Sequence, residues 1–284
     1  MKDLYSMLRM SRQNVSQKLL RVQRRAIIAD TAVELATQIR KDHPVMGSRK
    51  MYWKSLYQLP IGRDRCEELL LSMGFRVQFP VNFKRTTYSI GKLYHPNLIE
   101  GLKVDAINQV WQSDITYFEV NGKFYYLVFI VDVYSRRIVG WSADHYLWAE
   151  ANIRALHQAI DSRKEKLEGM IHHSDRGSQY IDKGYSDLLK SHGIKPSMCQ
   201  YAWQNAYCER VNGIIKNEYL KNWNITDFNS LKKYLNRTVN SYNNERPHQN
   251  LPNRMAPGQF EAKLKSGFID VKPTMKLYKL DVEC

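Results

Sequence analysis

The chain has 284 residues, 43% of them hydrophobic, enough for one large domain with small appendages and a substantial core. Lysine and arginine total 43 against 28 acids, a formal charge of +15, so a polyanion such as nucleic acid is the expected partner. No apolar run approaches the roughly 20 residues of a membrane span, and Met1-Lys-Asp-Leu-Tyr5 lacks a signal-peptide stretch, which points away from a membrane and toward the cytoplasm. Cys66, Cys199, Cys208 and Cys284 form no C-x-x-C pair, which argues against a disulfide scaffold or a ribbon-type zinc site.

Residues 1–43 read as basic and helical, with Leu4, Leu8, Leu19, Leu20, Val22, Ile27, Leu35 and Ile39 near helical spacing. Ser11 stands at a break, placed to cap the next helix. The segment fits a helix-turn-helix whose second helix presents Arg12 and Gln13 to DNA, and equally a basic helix packed on a neighbour. Residues 44–75 hold a second helical pair, with Leu69, Leu70 and Met73 turned inward and Arg63 and Arg65 near the exposed helix start, as in a small DNA-contacting module. Residues 76–108, with Pro80, Lys84, Arg85, Gly91, Lys92 and Pro96, have little periodicity. They read as a basic linker that either tracks a phosphate backbone through Lys84 and Arg85 or simply joins two domains.

Residues 109–222 change character. Gln109–Phe118, Lys123–Tyr134 and Arg137–Tyr146 are consecutive strand-like runs, and Asn121-Gly122 is a hairpin signal between the first two. A helix is predicted from Trp148 to about Lys166, then a short strand ending at Asp175, a helix over 183–192, a strand-like run over 195–200, and a helix bearing Glu209. That order predicts an α/β, ribonuclease H-like fold: a mixed five-stranded sheet with flanking helices, preceded by small all-helical DNA-binding modules. Residues 223–261 read as a C-terminal helical extension, with Phe228, Leu231, Leu235, Val239 and Tyr242 at helical spacing, and 262–284 as a tail. Arg246 and His248 fit a structural cap better than DNA contacts.

Three acids stand out against this basic background. Asp114 interrupts a strand in Trp111-Gln-Ser-Asp-Ile-Thr-Tyr-Phe118, Asp175 ends an apolar run in Ile171-His-His-Ser-Asp175, and Glu209 lies in the helix-like stretch Gln204–Lys216. On the ribonuclease H-like plan, Asp114 sits at the sheet centre, Asp175 ends the parallel neighbour, and Glu209 leans over the same edge. An acidic hole in a basic surface is what magnesium-dependent cutting or joining of nucleic acid requires. Lys216 follows Glu209 by seven residues, which returns it to within roughly 20° on a regular helix; Asn205 and Asn212 share that polar face, while Val211, Ile214 and Ile215 turn inward. The helix is therefore expected to offer a metal ligand and, through Lys216, Asn205 and Asn212, DNA contacts on one side. Asp132 reads as a turn organiser or a partner of Arg136 or Arg137, and His173 as structural or adjacent to the acids.

These stretches, with Val131-Asp-Val-Tyr-Ser-Arg-Arg-Ile-Val-Gly-Trp141, His172-His-Ser-Asp175-Arg-Gly-Ser-Gln-Tyr180 and Asn205-Ala-Tyr-Cys-Glu209, closely resemble the DDE transposases encoded by the second reading frame of the insertion sequence three family. The match covers about residues 44–261, and 33 residues separate Asp175 from Glu209, near the family's usual gap. The resemblance implies a retroviral-integrase-like core in which Asp114, Asp175 and Glu209 hold two Mg2+ ions, with Mn2+ as a substitute. It implies water attack at the ends of the element, then attack by the freed 3′-hydroxyl on a second phosphodiester. Implied partners are double-stranded DNA, namely transposon ends and target, a homo-oligomer on paired ends, and an upstream-frame fusion supplying a leucine zipper. On this resemblance the chain is expected to start inside such a product, and its sequence has no sustained heptad repeat. A nucleoid-associated bacterial enzyme is the expectation. The rivals are a plain metal-dependent nuclease and a non-catalytic DNA-binding regulator or decayed copy.

Overall fold

The structure, a computed structural model, describes residues 10–78, 93–163, 165–269 and 274–278. It divides into two compact units that meet in sequence near residue 79. Among the described residues, no helix is long and apolar enough to cross a membrane.

In the first unit, α1 (Arg12–Asp42) is one continuous helix, and the Ser11 hydroxyl accepts the Asn14 amide at 3.2 Å, the expected cap. The helix expected before Ser11 falls outside the described residues. Only the C-terminal part of α1 is buried, at Ala32, Ala36 and Ile39. It joins a small core of Met46, Met51, Leu56, Cys66 and Leu70, supplied by α2 (Ser48–Lys54), a following 3-10 turn and α3 (Arg63–Ser72). Arg40 closes the unit by donating to the carbonyls of Pro44 and Phe75, at 2.8 and 3.0 Å. Met73, expected inward, is 54% exposed because it is the capping residue past the last turn of α3.

The second unit is built on a five-stranded sheet. Its strands are β2 (Val110–Val120), β3 (Lys123–Asp132), β4 (Ile138–Asp144), β5 (Ile171–Ser174) and β6 (Lys195–Met198), in the order β4-β3-β2-β5-β6. The first three are antiparallel neighbours, while β5 and β6 run parallel to β2. Asn121 and Gly122 both take positive φ, 49° and 74°, the two-residue turn whose twist matches the strands it joins.

Alternation along the strands separates two cores. Phe118, Leu127, Phe129 and Val131 pack against α6 (Ala206–Ile214) and α7 (Phe228–Asn244) through Val211, Leu231, Leu235 and Val239. Trp111, Val128 and Ile130 pack on the other face, against α4 (Ala149–Asp161) and α5 (Lys183–Ser191). A Cβ at Gly140 would lie 2.1 Å from the Ala155 carbonyl oxygen, so glycine is what lets α4 lie so close on β4. This is the ribonuclease H-like arrangement expected.

A third core departs from the expected linker and tail. Ile99 and Val104 are fully buried with Val110, Val133, Tyr134, Leu251, Phe260 and Leu277. β1 (Lys103–Val104) pairs with β7 (Met275–Lys276), and α8 (Pro257–Lys265) runs past the expected end of the helical extension. The described part of the segment expected as a linker, from Leu93 onward, is therefore partly core. Its few apolar residues pair with a strand distant in sequence, so no local period betrays them.

Candidate active site

The two-residue period of β2 puts Gln112, Asp114 and Thr116 on the face covered by α6. The parallel register pairs Val110 with Ile171 and continues to Ser113 with Ser174. One further step sets Asp175 beside Asp114, on strands whose usual spacing is roughly 4.8 Å. At the strand exit, Asp175 Oδ1 accepts the Gly177 amide at 3.0 Å. From the helical layer, α6 places Glu209 within electrostatic reach of both aspartates. Asp114 and Asp175 are half-buried and Glu209 is exposed.

All three carboxyls are held above their ordinary range. For Asp114 burial is the main cause, reinforced by the charges of Asp175 and Glu209 and opposed by the Ile115 amide and Lys216. Burial raises Asp175 against the Gly177 amide, and burial then the charge of Asp175 raise Glu209. Like charges gathered this way repel. Among the described residues, no three His, Cys, Asp or Glu side chains close into a ready cage for one ion.

The Glu209 helix is not regular to its end. After Ile214 it becomes a π turn over Ile215–Tyr219, which shifts the phase assumed for Lys216. Lys216 nevertheless reaches the acid side: its Nζ donates to Thr116 Oγ1 at 2.6 Å and lies 5.4 Å from the centre of the Tyr117 ring. Burial lowers its pKa, aided by Lys221, while Asp114 opposes the shift.

Asn205 and Asn212, expected to touch DNA, lie below the surface, 2% and 5% exposed. Both are spent on the sheet: Asn212 Nδ2 donates to Asp114 Oδ2 at 2.7 Å, and Asn205 Nδ2 to the Ser113 carbonyl at 2.9 Å. The polar face expected to meet DNA is the face turned to β2. Arg12, Gln13, Arg63 and Arg65 are exposed in the first unit, Arg63 donating to Asp64 at 2.8 Å, and Lys84 and Arg85 lie outside the described residues.

Neighbouring residues sort into support. Asp132 is fully buried and accepts the amides of Asn108, Tyr134 and Ser135, the turn-organising role expected; its ionic neighbour is Arg163 at 3.6 Å, not Arg136 or Arg137. Burial keeps His172 and His173 neutral, at about 4 and about 3, with His172 Nε2 2.9 Å from the Tyr185 hydroxyl and His173 Nδ1 2.9 Å from Ser197 Oγ. Arg246 is buried and forms a fork with Glu218, both contacts at 2.9 Å, which is the structural cap expected.

Two groups escaped sequence reasoning. Gln112 is fully buried, donating to the Gln204 carbonyl and the Tyr278 hydroxyl and accepting the Tyr207 amide, so it ties β2 to the start of α6. Its place two residues before Asp114 was the available signal. Glu261 is 2% exposed and receives a two-pronged contact from Arg163 at 2.8 Å, with Arg137 and Ser135 at 2.7 and 2.6 Å.

A mixed sheet with one carboxylate on its central strand, a second at the exit of the parallel neighbour and a third on the covering helix defines the integrase-type polynucleotidyl transferases. Residues 105–202 and 192–257 match two models described as integrase core domain. The chain is 33% identical over 202 residues to the putative transposase for insertion sequence element IS986/IS6110 of Mycobacterium tuberculosis, covering 66% of this chain and 72% of that one. It is 33% identical over 131 residues to transposase InsF for insertion sequence IS3A of Escherichia coli, covering 45% of each. A solved HTLV-2 integrase catalytic core domain in complex with magnesium is 23% identical, with a TM-score of 0.42, over 58% of this chain and 98% of that one. The chain belongs to the insertion-sequence transposases of the insertion sequence three type, and its reactions are DNA cleavage and strand transfer in transposition.

Proposed function

We propose that Asp114, Asp175 and Glu209 are the catalytic acids, that they hold two Mg2+ ions, with Mn2+ as a substitute, and that end cleavage and 3′-hydroxyl strand transfer share this one centre. The observation that carries the reading is the strand register that sets Asp175 beside Asp114, with the charge of Glu209 felt at Asp114. The donor set fits a hard divalent cation: the acids offer only oxygen, and their shared negative charge is answered at Asp114 by Lys216. The thiols nearby stay protonated, Cys199 pushed up to about 11 and Cys208 well above its ordinary value, chiefly by burial.

When bound, such ions activate the attacking oxygen and stabilise the leaving oxygen of an in-line displacement. The chain's own share is orientation. Asn212 fixes the rotation of the Asp114 carboxylate through Oδ2, and the Gly177 amide does the same for Asp175. Lys216 offers a positive charge to a phosphate near Thr116. The DNA ends are delivered by the helical modules of residues 1–43 and 44–75 through Arg12, Gln13, Arg63 and Arg65, with Lys84 and Arg85 in the connecting stretch. Residues 109–222 form the catalytic core and 223–261 its helical extension. The enzyme works as a homo-oligomer on paired ends of nucleoid DNA in the bacterial cytoplasm, with an upstream-frame fusion as a further source of end recognition.

The test is to incubate the protein with Mg2+ and labelled duplex carrying the ends of its own element. Joined strands support the reading; cutting without joining supports a nuclease, and binding alone a regulator. Asp114→Asn, Asp175→Asn and Glu209→Gln are each expected to remove strand transfer by about a thousandfold or more, the scale of losing a centre that stabilises developing charge.

A further inference from the structure

The loop between β6 and α6 carries two large aromatic side chains that no buried cluster takes up. Tyr201 is 55% and Trp203 43% exposed, and their rings lie parallel within 6°, centroids 6.0 Å apart. Tyr278 braces the pair edge-on, 5.4 Å from Trp203, and its own hydroxyl is held by Gln112 at 3.0 Å.

The loop is fastened to the strands that carry the acids. Gln204 Oε1 accepts the amides of Gln200 and Tyr201 at 2.7 and 3.0 Å, and its carbonyl accepts Gln112 Nε2 at 2.9 Å. On the other side, the Cys199 amide donates to the Ser174 carbonyl at 2.9 Å, while Arg176 donates to the carbonyls of Cys199 and Gln200 at 3.0 and 2.6 Å. The anchors are thus two residues before Asp114 and either side of Asp175, and the loop runs straight into the helix of Glu209. Such bracing holds the two rings at the rim of the acid site.

We propose that Tyr201 and Trp203 form a stacking ledge for an unpaired nucleobase at the DNA end, so that the strand to be cut or joined is parted from its partner beside the acids. The proposal rests on the reading of the acids as the reaction centre. Inside a duplex, base faces are already stacked, so a flat exposed aromatic gains only from a base that has left its pair. The rings are too close to sandwich a base, which needs about 7 Å, or two stacking spacings of about 3.4 Å. The base therefore lies on the open face of the ledge, and because every base has such a face the contact favours no sequence.

The test uses full-length protein and duplex carrying the element's end, with 2-aminopurine set opposite a mismatched base at the terminal position so that it starts unpaired, and EDTA present so that no chemistry occurs. Wild type is expected to quench the probe by stacking; Tyr201→Ala and Trp203→Ala lose the quench, and Trp203→Phe keeps it. With Mg2+, the alanine variants are expected to lose about tenfold of strand transfer on paired ends, and to recover most of it on ends made with mismatched terminal bases, where parting costs less. An unchanged quench in the alanine variants, or an equal defect on paired and mismatched ends, overturns the ledge. Since the fluorescence is read without metal, its outcome is separate from that of Asp114→Asn, which judges the acids.

Discussion

Two clusters of buried or half-buried charge in the catalytic unit are built in opposite ways. Around Arg163, the carboxylates of Asp132 and Glu261 meet two guanidinium groups and several amides, so each buried acid has a cation beside it. Around Asp114, three carboxylates share one facing lysine, and burial is left unmatched. In the first cluster, burial pushes Glu261 up, but Arg163, Ser135 and Arg137 together pull it below its ordinary value, while Asp132 stays raised by burial with Arg163 opposing. In the second, the acids stay above theirs. A protein that pairs its buried charges in one place and leaves them unpaired in another has a use for the second place that folding does not explain.

The largest expected effect separates activity from stability. Glu209→Gln should abolish strand transfer to about a thousandfold below wild type, yet leave the far-ultraviolet circular dichroism and melting cooperativity intact. If the variant instead unfolds, the site is structural, like its counterpart. Conversely, Arg163→Met takes from buried Asp132 its ionic neighbour and leaves Glu261 with Arg137 and Ser135, and should cost about 3–5 kcal/mol in urea unfolding. Destabilisation below about 1 kcal/mol would show that the Arg163 cluster is not the balanced one.

A smaller effect has the opposite sign. Because the folded state holds the Asp114 carboxyl above its unfolded value, it binds more protons there than the unfolded chain does. Its contribution to stability is therefore full below the unfolded pKa and is lost as pH rises through the folded one. Asp114→Asn removes that loss and should raise the metal-free protein's stability at neutral pH, read as a higher melting temperature. Mg2+ should raise the melting temperature of wild type and not of the variant. Glu261 runs the other way: its depressed pKa gives stability that is present above the unfolded value and lost as pH falls through the folded one. Equal melting temperatures for wild type and Asp114→Asn at neutral pH, without metal, would remove the contrast.

The two clusters also differ in how visible they were beforehand. Asp114, Asp175 and Glu209 each sit in a local pattern that makes an acid unusual, a strand interior, a strand end or an apolar helix, so the chain announces them one by one. Glu261, Arg163 and Asp132 make sense only together, and the pairing of Arg163 with Glu261 spans a long stretch of sequence that no window covers. The same limit hid the β1–β7 ladder and misplaced Asn212, whose polar face was legible while the strand it faces was not. Helical phase at Lys216 failed for a different reason, since a π turn follows from packing and not from any residue in it.

Lys216 provides the finest division between the clusters, because its charge is felt at Asp114 and yet it is held by a hydroxyl there. Its Nζ is held by Thr116 Oγ1, one step along the strand face from Asp114, and its charge eases the acid without neutralising it. If that charge is meant for a phosphate, Lys216→Ala should weaken DNA binding evenly across sequences and reduce the log-log salt slope by about 0.9, one phosphate's worth of released counterion. Strand transfer should fall by about tenfold, with melting almost unchanged. If Lys216 were instead structural, as Arg163 is, the same substitution would lower the melting temperature and leave the salt slope where it was.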